Sequence, residues 1–142
     1  MNVIPKKILG ESAEGRLVEF ESDFGIGRGI WRSWNPTLHI GQEYSVELDI
    51  LDDLEFGKNI QLMDSATDDS PEFKFEWQGD HMVITGKIEV IRDVDDGSAV
   101  MMYFNVNQLG INYHSIIPEL APYVSQYVRI FAKQIALSDN RY

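Results

Sequence analysis

The chain has 142 residues, of which 44% are hydrophobic and 11% aromatic, and it contains no cysteine. That much apolar surface supports one self-sufficient domain over residues 1–142, and the composition excludes intrinsic disorder, a disulfide framework, a thiolate zinc site and a cysteine nucleophile. A formal net charge of −11 sets the chain against partners that are themselves polyanions.

The N-terminal stretch from Met1 to Lys7 turns polar at Gly10 and Glu11, so no secretory apolar core follows its two lysines. Nowhere does a run approach the roughly 18 apolar residues of a membrane-spanning helix. With cysteine absent, the expectation is a soluble, cytoplasmic protein with no membrane partner. Arg16 to Glu21 and Ile26 to Trp34 read as strands, because Gly25, Gly27 and Gly29 would cost a helix about 1 kcal/mol each. Tyr44, Val46, Leu48 and Ile50 alternate with Ser45, Glu47 and Asp49, the period of a half-buried antiparallel strand. Phe73, Phe75 and Trp77 alternate in the same way. Asp64 to Pro71 has the composition of an exposed loop. Gln78, Gly79 and Asp80 predict a hairpin turn into a β-branched run from Met82 to Arg92. A second hairpin at Asp96 and Gly97 leads to Ala99–Val106.

The C-terminal segment supports two readings. Leu120, Val124, Val128, Phe131 and Ile135 fall at helical spacing. Val128, Ile130 and Ala132 instead alternate as a strand, with Ile135 and Leu137 resuming after an irregularity at Lys133 and Gln134. The strand is preferred, with Pro118 and Pro122 leaving room for one short helix near residues 115–127. The fold class is all-β and mainly antiparallel, a small barrel or sandwich. The expected core includes Val46, Leu48, Phe75, Trp77, Ile84, Ile88, Val90, Met102, Phe104 and Ile130.

No catalytic, cofactor or metal signature emerges. His39, His81 and His114 lack the close spacing of a metal pair. Asp93 to Ser98 departs from a calcium loop, with its glycine one position early and Phe104 where a bidentate glutamate belongs. Gly25, Gly27 and Gly29 are not a phosphate loop, since no lysine and no strand-to-helix transition follow; bulges or close backbone approach explain them better. The nucleophile-elbow pattern of serine hydrolases is absent. Phe24, Arg28, Trp31, Arg32 and Trp34 combine cations with stacking surfaces, as single-strand nucleic-acid sites do. The overall charge opposes that reading.

Charge distribution is the most informative feature. Residues 1–42 hold five acidic and five basic side chains, residues 43–96 hold sixteen and four, and residues 97–142 hold two and three. All the net negative charge therefore lies in the middle third. An acidic face of this kind steers a basic protein partner. The expected docking residues are Glu47, Asp49, Asp52, Asp53, Asp68, Asp69, Glu72 and Glu76, with Phe56, Trp34 and Tyr44 as apolar anchors.

The run from Gly86 to Ile91, the turn at Asp96 and Gly97, Val100 to Val106, Pro122 to Phe131 and Ile135 to Asp139 together resemble the second half of small OB-like β-barrel bacterial proteins, including immunity proteins that accompany secreted toxins. That resemblance implies an acidic inhibitor covering the basic active site of a nuclease toxin by charge mimicry. Two alternatives stay open: a small enzyme or enzyme subunit with a carboxylate site, and an OB-like module binding single-stranded nucleic acid through Arg28, Trp31, Arg32 and Trp34. The oligomeric state is left open.

Overall fold

Alternation of apolar and polar residues gives the chain strands with one covered face, and such faces are buried only by curling a sheet or stacking it on another. The computed structural model describes residues 1–32, 38–63, 73–92, 100–106, 109–116, 122–123 and 126–139. In chain order the strands are β1 (Asn2–Ser12), β2 (Gly15–Ser22), β3 (Gly25–Arg32), β4 (Tyr44–Ile50), β5 (Ile60–Leu62), β6 (Lys74–Gln78), β7 (His81–Arg92), β8 (Val100–Val106), β9 (Leu109–Ile116), β10 (Tyr127–Ala132) and β11 (Ile135–Asp139). Pro122 and Tyr123 form a 3₁₀ turn, and there is no longer helix among the described residues. The protein is all-β, with the preferred strand reading of the C-terminal segment holding.

Five strands close a ring. β1, β2 and β3 form an antiparallel meander, β3 pairs in parallel with β11, β11 pairs antiparallel with β4, and β4 returns to β1 through Asn2 opposite Ser45 and Val3 opposite Tyr44. This order, β1-β2-β3-β11-β4-β1 with one parallel pair, closes a small barrel-like ring. Register shifts between Pro5 and Lys7 and between Ile8 and Gly10 bend β1, as a strand shared between two neighbours must bend. The barrel-closing strands come from the first fifty residues and the last strand. The intervening chain builds a second layer.

That layer is organised by β7, whose first half lies between β6 and β10 and whose second half pairs with β8. β5 extends the small sheet beyond β10, while β8 leads through β9 back to β4 in parallel pairing. The hairpin expected at Gln78 to Asp80 is present, with Gln78 opposite His81 and Gly79 at φ +66°. Arg92 pairs with Val100, and the turn expected at Asp96 and Gly97 lies outside the described residues.

The core spans both layers. Val18, Phe20, Val46, Leu48, Phe75, Met82, Ile84, Val128, Ile130, Ile135 and Leu137 are buried. Phe24, Phe73, Phe75 and Phe20 form a chain of edge-to-face rings, with successive centroids 4.9, 6.3 and 5.8 Å apart, that joins the small sheet to the barrel. Of the expected core, Val46, Leu48, Phe75, Ile84 and Ile130 are buried and Trp77 is half-buried. The side chains of Ile88, Val90, Met102 and Phe104 lie outside the described residues.

Close backbone approach accounts for the glycines of β3. A Cβ on Gly25, at φ +143°, would collide with the carbonyl oxygen of Phe75, and one on Gly29 would stand 2.9 Å from the carbonyl oxygen of Ile135 and 2.5 Å from Leu137 Cδ1. β6 of the small sheet and β11 of the barrel can approach β3 because those positions carry no side chain.

Candidate protein-docking surface

The acidic positions fall on several elements. Alternation along β4 turns Glu47 and Asp49 away from the core that holds Val46, Leu48 and Ile50. Glu47 is exposed and Asp49 half-buried. The chain then enters a loop, residues 51–59, carrying Asp52, Asp53 and Glu55. Glu76 is exposed on β6 in the small sheet, so the structure does not place it on the strand that carries Glu47 and Asp49. Asp68, Asp69 and Glu72 lie outside the described residues, as does Trp34.

The loop is ordered by its own hydrogen bonds. Asn59 donates from Nδ2 to the Asp53 carbonyl at 2.9 Å and accepts from the Glu55 amide at Oδ1 at 2.6 Å. The amides of Lys58 and Asn59 donate to the Glu55 carbonyl, Gly57 N donates to Ile60 O, and Phe131 N of β10 donates to Asn59 O. Asp53 and Glu55 are thereby held out to solvent on a pre-formed turn. Glu55 pairs with Lys58 at 3.9 Å, an exposed contact of small energetic weight. The sequence reading missed Asn59, and its signal is the turn-forming Gly57-Lys58-Asn59 run.

Of the three anchors, Phe56 is half-buried beside this loop and stacks on Tyr123, with ring centroids 5.3 Å apart and planes 10° from parallel. Tyr44 is 4% exposed, packs edge-to-face on Trp31, and accepts a hydrogen bond at its hydroxyl from the His39 amide at 2.9 Å. It belongs to the core and offers a partner no surface, because its position on β4 shares the inward face of Val46 and Leu48.

Asp52 has a structural use. Its two carboxylate oxygens accept from the amides of Lys133 at 2.9 Å and Gln134 at 2.7 Å. These are the residues between β10 and β11, where the chain leaves the small sheet for the barrel. Nearby, Asp80 bonds His81 Nδ1 at 2.9 Å and lies 3.6 Å from Lys133 Nζ. The His81 hydrogen bond first, and Lys133 second, hold the Asp80 carboxyl below its usual range.

The constellation Phe24, Arg28, Trp31, Arg32 and Trp34 does not assemble a stacking platform among the described residues. Trp31 is buried, and Phe24 packs on Phe73. Arg28 lies 3.9 Å from Glu19 and over the Trp77 ring, and Arg32 lies 3.7 Å from Glu14. Lys6 with Glu21 and Arg16 with Glu11, each at 3.5 Å, continue the pattern. Four of the five cations in residues 1–42 thus face a carboxylate of the same segment. Glu43, Glu47 and Asp53, by contrast, have no lysine or arginine within ion-pair distance among the described residues.

Among the described residues no three His, Asp or Glu side chains are grouped to hold a metal ion, and no helix is long and apolar enough to cross a membrane. The chain matches no protein-family model, no curated protein and no solved structure.

Proposed function

We propose that the protein binds a basic protein partner through the acidic side of β4 and the 51–59 loop. The observation that supports this reading is the contrast in charge pairing. Residues 1–42 pair four of their five cations with carboxylates of the same segment, whereas Glu43 and Asp53 stand exposed without a neighbouring lysine or arginine among the described residues and Glu47 has the Met1 ammonium near it. Uncompensated surface charge of one sign raises the rate at which an oppositely charged partner arrives. Phe56, stacked on Tyr123 beside Asp53 and Glu55, supplies a stiff apolar element of the kind that carries affinity. The most concrete partner is a nuclease toxin, whose phosphate-holding active site is basic and open to occlusion by a charge mimic. The protein would then serve as an immunity protein, acting by binding and not by catalysis.

Affinity capture on the immobilised protein from its own source, followed by association measurements on the recovered basic partner, tests the reading. Asp52 is left intact because of its bonds to β10 and β11. Reversal of Glu47, Asp53 and Glu55 to lysine should slow association at least about tenfold at low ionic strength and flatten its salt dependence. Phe56→Ala should raise the dissociation rate instead. If no basic partner is retained at low salt, or if the triple reversal leaves association unchanged, the reading is wrong.

A further inference from the structure

The small sheet has an outward face of opposite character. Register places Lys74 of β6 opposite Thr85 of β7, and Thr85 opposite Arg129 of β10, so the three form one row across three strands. Adjacent strands are about 4.8 Å apart, which puts the two cationic residues about 10 Å apart with Thr85 between them. Their long side chains can converge above Thr85. The next row brings Glu76, Val83 and Phe131 together in the same way.

These two rows line a cleft of about 420 Å³, which Phe24, Phe75 and Gln78 also border. Thr85 is 2% exposed, the one buried polar residue in the described core, and it lies at the cleft. No carboxylate among the described residues comes within ion-pair distance of Lys74 or Arg129. Lys87, two residues along β7 from Thr85, puts a third cation on the same side. In a chain of net charge −11, Lys74 and Arg129 line one depression that mixes polar and apolar side chains.

We infer that this cleft binds a small organic oxyanion. A single carboxylate or phosphate head sits between Lys74 and Arg129 over Thr85, and an apolar body lies along Val83 and Phe131. Two long cationic donors flanking a hydroxyl suit an oxyanion with several acceptor oxygens. Val83, Phe131, Phe24 and Phe75 give the cleft its apolar part and Lys74, Arg129, Thr85 and Gln78 its polar groups, the two ingredients that a small-molecule site combines. Glu76, whose carboxylate accepts from Gln78 Nε2, stands in the apolar row and repels a second negative group at the far end of the ligand. The cleft is therefore selective for one negative head.

Calorimetric titration of the intact protein with benzoate and with phenyl phosphate tests this, and the tighter of the two identifies the head group. Benzylamine, with the same body and a cationic head, should not bind, and terephthalate should bind more weakly than benzoate. Lys74→Gln and Arg129→Gln should each weaken binding about tenfold or more. Glu76→Gln should restore terephthalate toward benzoate. Lys74 and Arg129 are exposed, so unchanged melting temperatures will separate lost binding from lost folding. The inference is overturned if neither anion gives saturable binding, if the Lys74→Gln/Arg129→Gln double variant binds as the wild type does, or if benzylamine binds as well as benzoate.

Discussion

The outward face of β1, β2 and β3 and the acidic stretch from Glu43 to Asp80 handle charge in opposite ways. On the meander, carboxylates and cations alternate across strands, so Lys6 meets Glu21 and Arg28 meets Glu19, and the face is neutral at short range. Among the described residues of the acidic stretch, Glu47 and Asp53 are exposed without a lysine or arginine partner, Asp52 is used against the backbone, and Glu55 and Asp80 meet Lys58 and Lys133. Net charge therefore says little about where a charge acts. An ion-paired carboxylate contributes no long-range field, an exposed one steers a partner, and one bonded to amides holds the fold together.

The comparison can be broken at its foundation by loosening the docking of the two layers. Phe75→Ala removes the ring that touches both Phe20 and Phe73, and should cost about 3–5 kcal/mol in denaturant unfolding. A loss under about 1 kcal/mol would mean that the small sheet is not packed on the barrel as described. Asp52→Ala comes next. With two amides losing a charged acceptor it should cost about 1.5–3 kcal/mol, whereas Asp53→Ala should fall within about 0.5 kcal/mol of wild type. Equal effects at the two neighbours would dissolve the distinction between the structural and the solvent-facing carboxylate.

Smaller still is the effect expected on the meander. Lys6→Gln should change stability by no more than about 1 kcal/mol, because its contact with Glu21 is exposed and screened. Its value is as a control: its association with a basic partner should change far less than that of the β4 and loop reversals. The smallest effect is a titration. Asp80 has its folded pKa lowered below 3.8, so any stability it lends is fully present above the ordinary carboxylate range and is lost as pH falls through the lowered value. Carboxyl carbon NMR should show its pKa rising in His81→Asn, and rising less in Lys133→Gln. An order reversed between the two variants would assign the main influence to Lys133.

Much of the strand architecture was legible because burial of one face imposes a period of two. Tyr44 to Ile50, Lys74 to Gln78 and Tyr127 to Ala132 show that alternation directly, and the hairpin at Gly79 and Asp80 follows from its turn residues. The same period placed Glu47 and Asp49 on the outer side of β4. Alternation cannot say which strand lies beside which, since pairing depends on partners far apart in the chain. The barrel closes only when β11 pairs in parallel with β3, across a hundred residues of intervening chain, and no local pattern encodes that.

Tertiary placement also separated residues that look alike in sequence. Asp52 and Asp53 are neighbours of one type, yet only Asp52 meets the backbone between β10 and β11. Tyr44 and Phe56 both read as aromatic anchors, but the inward phase of β4 buries Tyr44 whereas the loop leaves Phe56 stacked and half-exposed. The gathering of Lys74, Thr85 and Arg129 around one cleft arises from the register of three strands whose residues are 11 and 44 positions apart. Sequence alone determined the class of fold, the core-facing phase of its clearest strands and the location of the excess charge, because each depends on local periodicity or composition. Strand order, register and the use of each carboxylate were decided by the tertiary structure, because each depends on which distant backbone or side-chain groups come within hydrogen-bonding and ion-pairing distance.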